Sequence, residues 1–292
     1  MTRMFDAISP FEPAGAPGGV ERRADARVEL GFVHAAGRTR LARLRQQTPL
    51  RALFPRPEAG DLLTAALVNV GGGLVAGDRT TVDVAVGPEA AVLVTSQAAE
   101  KVYRSLGPTC RITTRLRVEP GGWLEWCPQE TILFERSRLR RTLRLDIAAG
   151  ARAMLGEMLV FGRHAAGERT GAGFVHDRIE IHRDGALAWV DALRLDGTYA
   201  PLLDAAAGMA GGGAMATFVY AAADAEGLLD HARGWLAEWD VEAGATSVNG
   251  LLVARFLGTE ALALRRAFAL FWCRFRAAAA GLPPVLPRLW HV

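Results

Sequence analysis

From Ala26 to about Tyr220, apolar and polar residues alternate with a period of two. That period is the signature of β-strands with one buried face, and it is incompatible with a chain built mainly from amphipathic helices. The clearest stretch is Arg111-Ile112-Thr113-Thr114-Arg115-Leu116-Arg117-Val118, with Ile112, Thr114, Leu116 and Val118 on one face and the three arginines on the other. Val82, Val84 and Val86 alternate in the same way, as do Leu143, Leu145 and Ile147. Ile179 and Ile181 repeat the pattern ahead of Asp184-Gly185, a two-residue hairpin signal.

The alternation carries a weak internal repeat of about 30 residues. In each copy an alternating strand ends at a Gly-containing turn, and a more apolar strand follows and stops at polar residues. The copies are Val82–Val86 with Ala91–Val94 and Ser96-Gln97, Ile112–Val118 with Trp123–Trp126 and Gln129-Glu130, and Leu143–Ile147 with Ala151–Leu155 and Glu157. Stacked as a solenoid, the copies bring Gln97, Gln129, Glu130 and Glu157 together at one end. Three ordinary hairpins account for the same pattern. The predicted class is mainly β, with stacked, solenoid-like sheet layers and two α-helices in the C-terminal third. Residues 1–25, rich in Pro, Gly and Ala, read as a flexible arm, and 26–292 as one β-rich domain with C-terminal helices.

The first helix is expected after Asp224, with Leu228, Ala232, Trp235, Leu236 and Trp239 on one face. The second is expected after Thr259, with a Leu264, Phe268, Phe271, Phe275 stripe, and Gly281 and Pro283-Pro284 end it. The stripe reads as core. Between the helices, Leu251–Phe256 reads as one more strand.

Half of the 292 residues are hydrophobic, ample for a core, and 34 cations against 31 anions leave a net charge of only +3. No clustered basic footprint for nucleic acid follows from that balance. Three cysteines, Cys110, Cys127 and Cys273, are scattered without a CxxC pair, so neither a disulfide framework nor a zinc knuckle is indicated. No apolar run reaches the roughly 18 residues of a membrane span, and the first residues lack a signal-peptide pattern. The expected setting is therefore the cytoplasm, without membrane or nucleic-acid partners. The positive mean hydropathy of +0.14 leaves room for an apolar partner surface.

Gly71-Gly72-Gly73-Leu74-Val75-Ala76-Gly77-Asp78 resembles a phosphate loop, but a strand pattern at Arg79–Val86 follows where a helix N-terminus is required, and there is no GK[ST]. The glycines Gly71, Gly72, Gly73 and Gly77, with Asp78, read instead as a structural loop. Glu100 beside Lys101, the only lysine, is either a catalytic pair or a satisfied ion pair. Gln129-Glu130 with Glu157 fits an acid–base pair or a polar row lining a cavity. The six histidines form no HxH, HxxxH or HExxH, so no tight metal site is indicated.

The glycine stretch, Thr95–Ser105, Leu124-Glu125-Trp126-Cys127-Pro128-Gln129-Glu130-Thr131-Ile132-Leu133-Phe134 and Gly156-Glu157-Met158-Leu159-Val160-Phe161-Gly162-Arg163 together resemble the UreD (UreH) family of urease accessory proteins. Gly250-Leu251-Leu252-Val253-Ala254-Arg255 and the closing Pro287-Arg288-Leu289-Trp290 extend the resemblance over nearly the whole chain. Where the family often has two prolines ahead of the glycines, this chain has Asn69-Val70-Gly71. The resemblance implies a non-enzymatic assembly factor of largely β fold that joins UreF and, through it, the GTPase UreG, and docks on apo-urease. It also implies a tunnel that conducts transient nickel(II) with no tightly bound cofactor. The positions it points to as tunnel lining are Thr95, Ser96, Gln129, Glu130 and Glu157. The alternatives left by the residues themselves are a β-rich hydrolase-like enzyme using Glu100, Lys101, Glu130 and Glu157, or a purely structural interaction module.

Overall fold

The alternating segments of the three repeat copies pair with one another and not with the strand that follows each along the chain. The computed structural model describes residues 23–291, so the expected N-terminal arm lies outside the described residues except for its last three positions. One sheet has seven strands: β1 (Asp25–Ala35), β2 (Arg38–Gln47), β5 (Arg79–Val86), β8 (Cys110–Val118), β11 (Arg138–Ile147), β13 (Ala172–Arg183) and β14 (Ala186–Thr198). The other has ten: β3 (Leu50–Leu53), β4 (Leu63–Asn69), β6 (Ala91–Ser96), β7 (Glu100–Val102), β9 (Trp123–Cys127), β10 (Thr131–Leu133), β12 (Arg152–Phe161), β15 (Ala214–Ala221), β16 (Glu242–Val248) and β17 (Leu251–Gly258). Strand order is β14-β13-β11-β8-β5-β1-β2 in the first sheet and β16-β17-β15-β12-β9-β6-β4-β3 in the second.

The repeat is a stack. Val82, Thr114 and Leu143 are in register across the parallel strands β5, β8 and β11. Val94, Trp126 and Leu155 are in register across the parallel strands β6, β9 and β12. Each copy therefore gives one strand to each sheet, as in a solenoid. The inward residues of both sheets, among them Val84, Leu116, Leu145, Val92, Leu124 and Leu155, form a continuous buried core. Arg111, Arg115 and Arg117 point to solvent on the outer face of the first sheet. Asp184-Gly185 makes the two-residue turn between β13 and β14, both residues with positive φ (49° and 82°) as a type I′ hairpin requires.

The outer face of the second sheet is covered by α2 (Leu229–Leu236) and α3 (Ala261–Ala280); a short α1 (Ala200–Asp204) follows β14. The Leu264, Phe268, Phe271, Phe275 stripe is buried there with Phe218, Tyr220 and Phe256. Gly156 on β12 lets α3 come this close, since a Cβ there would lie 2.6 Å from the Phe268 ring and 2.9 Å from Trp272. Both expected N-caps are corrected. Asp224 accepts the Tyr220 hydroxyl (2.8 Å) and a 3-10 turn at Glu226–Leu228 intervenes before α2. At α3 the N-cap is Glu260, with no side-chain cap, so Thr259 does not serve. Gly281, left-handed at φ 63°, closes α3 through its N–H to Ala277. The strand expected at Leu251–Phe256 is β17. Its antiparallel partner β16 carries Ala, Gly, Thr and Ser on a half-exposed edge, where apolar alternation is too weak to read.

Candidate functional site

Two strands of the second sheet are interrupted side by side. β6 stops at Ser96 and resumes as β7 at Glu100; β9 stops at Cys127 and resumes as β10 at Thr131. The breaks stay in step because Thr95 pairs with Cys127 before them, Glu100 pairs with Thr131 after them, and the Glu100 N–H donates to the Glu130 carbonyl at 2.9 Å. β12 runs through without interruption. It pairs with β9 up to Leu155 and with β10 from Leu159, so Glu157 stands at the level of the gap. The polar residues ending the three copies are thus neighbours, but in the interior of the sheet and not at its end, because β7 and β10 continue it beyond them.

The gap opens a cavity of about 220 Å³ between the sheets. Its walls include Ser96, Gln97, Glu100, Gln129 and Glu157 from the second sheet, and Thr80, Thr114 and Arg141 from the first. Gly72, Gly73 and Lys101 complete the rim. Gly73, at φ 146°, sits where a Cβ would lie 2.7 Å from the Lys101 carbonyl, and Leu74 bonds that carbonyl through its N–H at 2.7 Å. Asp78 closes the glycine loop by accepting the N–H groups of Val75 (2.9 Å) and Ala24 (2.8 Å).

Glu157 is buried. Its Oε1 accepts the Trp126 indole N–H at 2.8 Å, and its Oε2 accepts a short hydrogen bond from NH1 of Arg141. Arg141 turns its other edge to Asp177, donating through Nε (2.7 Å) and NH2 (2.6 Å), and its NH1 also reaches Thr131 Oγ1 at 3.2 Å. Burial pushes the Glu157 carboxyl above its ordinary value, while Arg141 pulls it back. Burial also works against the charge of Arg141, but Asp177 and Glu157 overcome it and hold the guanidinium protonated. Glu100, facing the same cavity, accepts both Asn69 Nδ2 hydrogen bonds (3.1 and 3.2 Å), and burial pushes it up from 4.5 to about 7. Asn69 Oδ1 meanwhile accepts the Gly71 N–H at 3.0 Å, a link between loop and carboxylate.

Not every expected lining residue reaches the cavity. Along β6 the inward positions are Val92 and Val94, which puts Thr95 on the opposite, helix-facing side. There its hydroxyl donates to the Cys127 carbonyl (2.7 Å) and accepts the Trp290 indole N–H (3.0 Å). Glu130 also faces the helices, with both carboxylate oxygens on NH1 of Arg265 at 2.9 and 2.8 Å. It lines a larger groove of about 1340 Å³ between α3 and β10, together with Lys101, Ile132, Arg265 and Trp290. Lys101 borders both spaces. Gln129 ties them together, its amide N–H groups donating to Ser96, Gln97 and Leu289 carbonyls and its Oε1 accepting Arg265 NH2 at 3.0 Å. Glu130 therefore does not share a cleft with Glu100 and Glu157, and among the described residues the Glu100 carboxylate pairs with the Asn69 amide and forms no ion pair with the Lys101 ammonium. Among the described residues no three His, Cys, Asp or Glu side chains gather as a metal-binding group.

The sequence reading does not single out Arg141, which lines the cavity, or Asp177, which holds Arg141 from the neighbouring strand. A signal was present: Arg141 shares the inward phase of Leu143 and Leu145, and Asp177 that of Ile179 and Ile181. A charge at a core-phase position demands a buried partner, and the register pairs these two directly. The Glu125–Arg276 contact, with residues 151 positions apart, had no such local cue.

Residues 24–291 match the family described as UreD urease accessory protein. The chain belongs to that family. A urease accessory protein UreD from Methylobacterium sp. (strain 4-46) is 45% identical over 276 residues, covering 92% of this chain and 95% of that protein. One from Magnetococcus marinus is 41% identical over 270 residues (91% and 93%). A third, urease accessory protein UreD 3 of Methylorubrum extorquens (strain PA1), is 41% identical over 291 residues (99% and 96%). Membership in the UreD family implies a role in urease maturation. No described helix is long and apolar enough to cross a membrane.

Proposed function

We propose that this chain is a cytoplasmic, non-catalytic urease maturation factor that joins a UreF-class partner and, through it, the GTPase UreG, docks on apo-urease, and conducts nickel(II) through the break in its second sheet. The observation that carries this reading is the placement of two carboxylates on opposite sides of that break, Glu130 toward the helix groove and Glu157 toward the inter-sheet cavity. A conduit must offset the desolvation cost of a divalent cation without trapping it. Spaced carboxylates and neutral oxygens suit that task, whereas a cage of imidazoles and thiolates retains nickel. Glu157 and Glu130 supply the charge; Ser96, Gln97 and Gln129 supply neutral oxygens along the same path. Thr95 contributes by fixing Trp290 against β9, which holds the wall between cavity and groove.

The test is co-expression with a UreF-class partner and UreG, followed by size-exclusion chromatography and urease activation assays. The expected result is a stable complex for wild type and Glu157→Gln alike, with activation lowered only in the variant. Normal activation by Glu157→Gln removes the conduit, and failure to assemble with the UreF-class partner removes the scaffold.

A further inference from the structure

The cavity wall contains a cation of its own. Arg141 lies on the first sheet but crosses the cavity to Glu157 on the second, and its two edges are used unequally. The Nε–NH2 edge forms a two-bond fork with Asp177, the geometry a guanidinium matches best. The remaining nitrogen, NH1, holds Glu157 and Thr131. Release of Glu157 therefore leaves the arginine anchored, with its charge still next to the cavity. Glu157 is itself held in place by Trp126, so it stays aimed at the cavity when NH1 lets go.

Resting on the conduit reading, we infer that Arg141 is a resident counter-cation: it partners Glu157 while the cavity is empty and competes with a divalent metal cation for it, so that the metal is handed on and not retained. The charges give the reason. With the guanidinium present, Glu157, Asp177 and Arg141 sum to a single negative charge, which under-compensates a divalent ion. Without it, the charges of Glu157, on the cavity wall, and Asp177, directly behind it, are left uncompensated and together match the charge of a divalent ion. Arg141 is thus a positioning residue that converts a metal trap into a transit point.

The test is equilibrium dialysis of the full chain against nickel(II) alone, with no urease present. Arg141→Gln is expected to bind nickel at least about tenfold more tightly than wild type, and adding Glu157→Gln to it is expected to abolish the gain. An unchanged or weaker affinity in folded Arg141→Gln overturns the inference. Because removing one partner of a buried pair can unfold the protein, a second measurement uses wild type. In crystals soaked in saturating nickel(II), the metal is expected on Glu157, with Arg141 NH1 withdrawn and its fork to Asp177 intact. Nickel absent from Glu157, or bound there with Arg141 unmoved, overturns it. These outcomes are separate from those of the conduit reading, which stands or falls on urease activation by Glu157→Gln.

Discussion

Arg276 on α3 donates through Nε to both oxygens of Glu125 on β9, at 3.2 and 3.1 Å, and neither side chain touches solvent. The indole N–H groups of Trp123 (3.2 Å) and Trp272 (3.0 Å) complete the shell around the carboxylate. The rest of the guanidinium is taken by Asp61 and the carbonyls of Pro283 and Val285. This pair joins the helix layer, the second sheet and the C-terminal segment at one point. Glu125→Ala is expected to leave Arg276 Nε and the Trp123 and Trp272 indole N–H groups unpaired in the core, with Asp61 as the remaining counter-charge, and to cost about 3–5 kcal/mol. Denaturant unfolding of the purified protein measures it, and a loss below about 1 kcal/mol contradicts the clamp.

Gly156 sets how close α3 approaches β12. Gly156→Ala puts a methyl within 2.6 Å of Phe268 and 2.9 Å of Trp272, two side chains already packed against Phe256 and Phe218. Overpacking of this kind costs about 1–3 kcal/mol. The expected readout is a lower unfolding midpoint, and Phe268→Leu in the same chain is expected to recover part of it by making room.

Glu100 gives the cavity a pH dependence. Burial raises its carboxyl from 4.5 to about 7, so across that window the folded state holds a proton that the unfolded state has released. Its contribution is fully present below about pH 4.5 and is lost as pH rises through about 7. With the side chain partly open to solvent through the cavity rim, the loss is on the order of 1 kcal/mol. Glu100→Gln keeps an uncharged side chain at this position and is expected to remove that slope, gaining on wild type as pH rises from 4.5 to 7. Parallel stability curves for the two proteins over this range contradict it.

How much of this was legible in the sequence follows from the range of each interaction. Alternation along Ile112–Val118 and its copies depends only on which face of a strand is buried, so the sheet layers and the stacking could be anticipated. The polar stops Gln129 and Glu157 were visible because each ends an apolar run. Side-chain parity was the hidden variable at the breaks: Thr95 and Ser96 are adjacent, yet one faces the helices and the other the cavity. Glu130 is likewise turned to Arg265, 135 residues away, by a bend that no local pattern encodes. Helix caps failed as guides because α2 and α3 are held by packing of their aromatic faces, which makes a side-chain cap dispensable.

In the conduit proposed above, nickel passes through the cavity between Thr114 and Glu157. Thr114 lines it from the first sheet and, at 4% exposure, has room for a larger side chain only by filling the cavity itself. The most direct measurement is the nickel content of urease after activation by purified accessory complexes carrying wild type or Thr114→Trp. The plugged variant is expected to fold, to assemble with its partners, and to leave urease with little nickel. Full nickel loading by a complex whose cavity is occupied by the indole would contradict it.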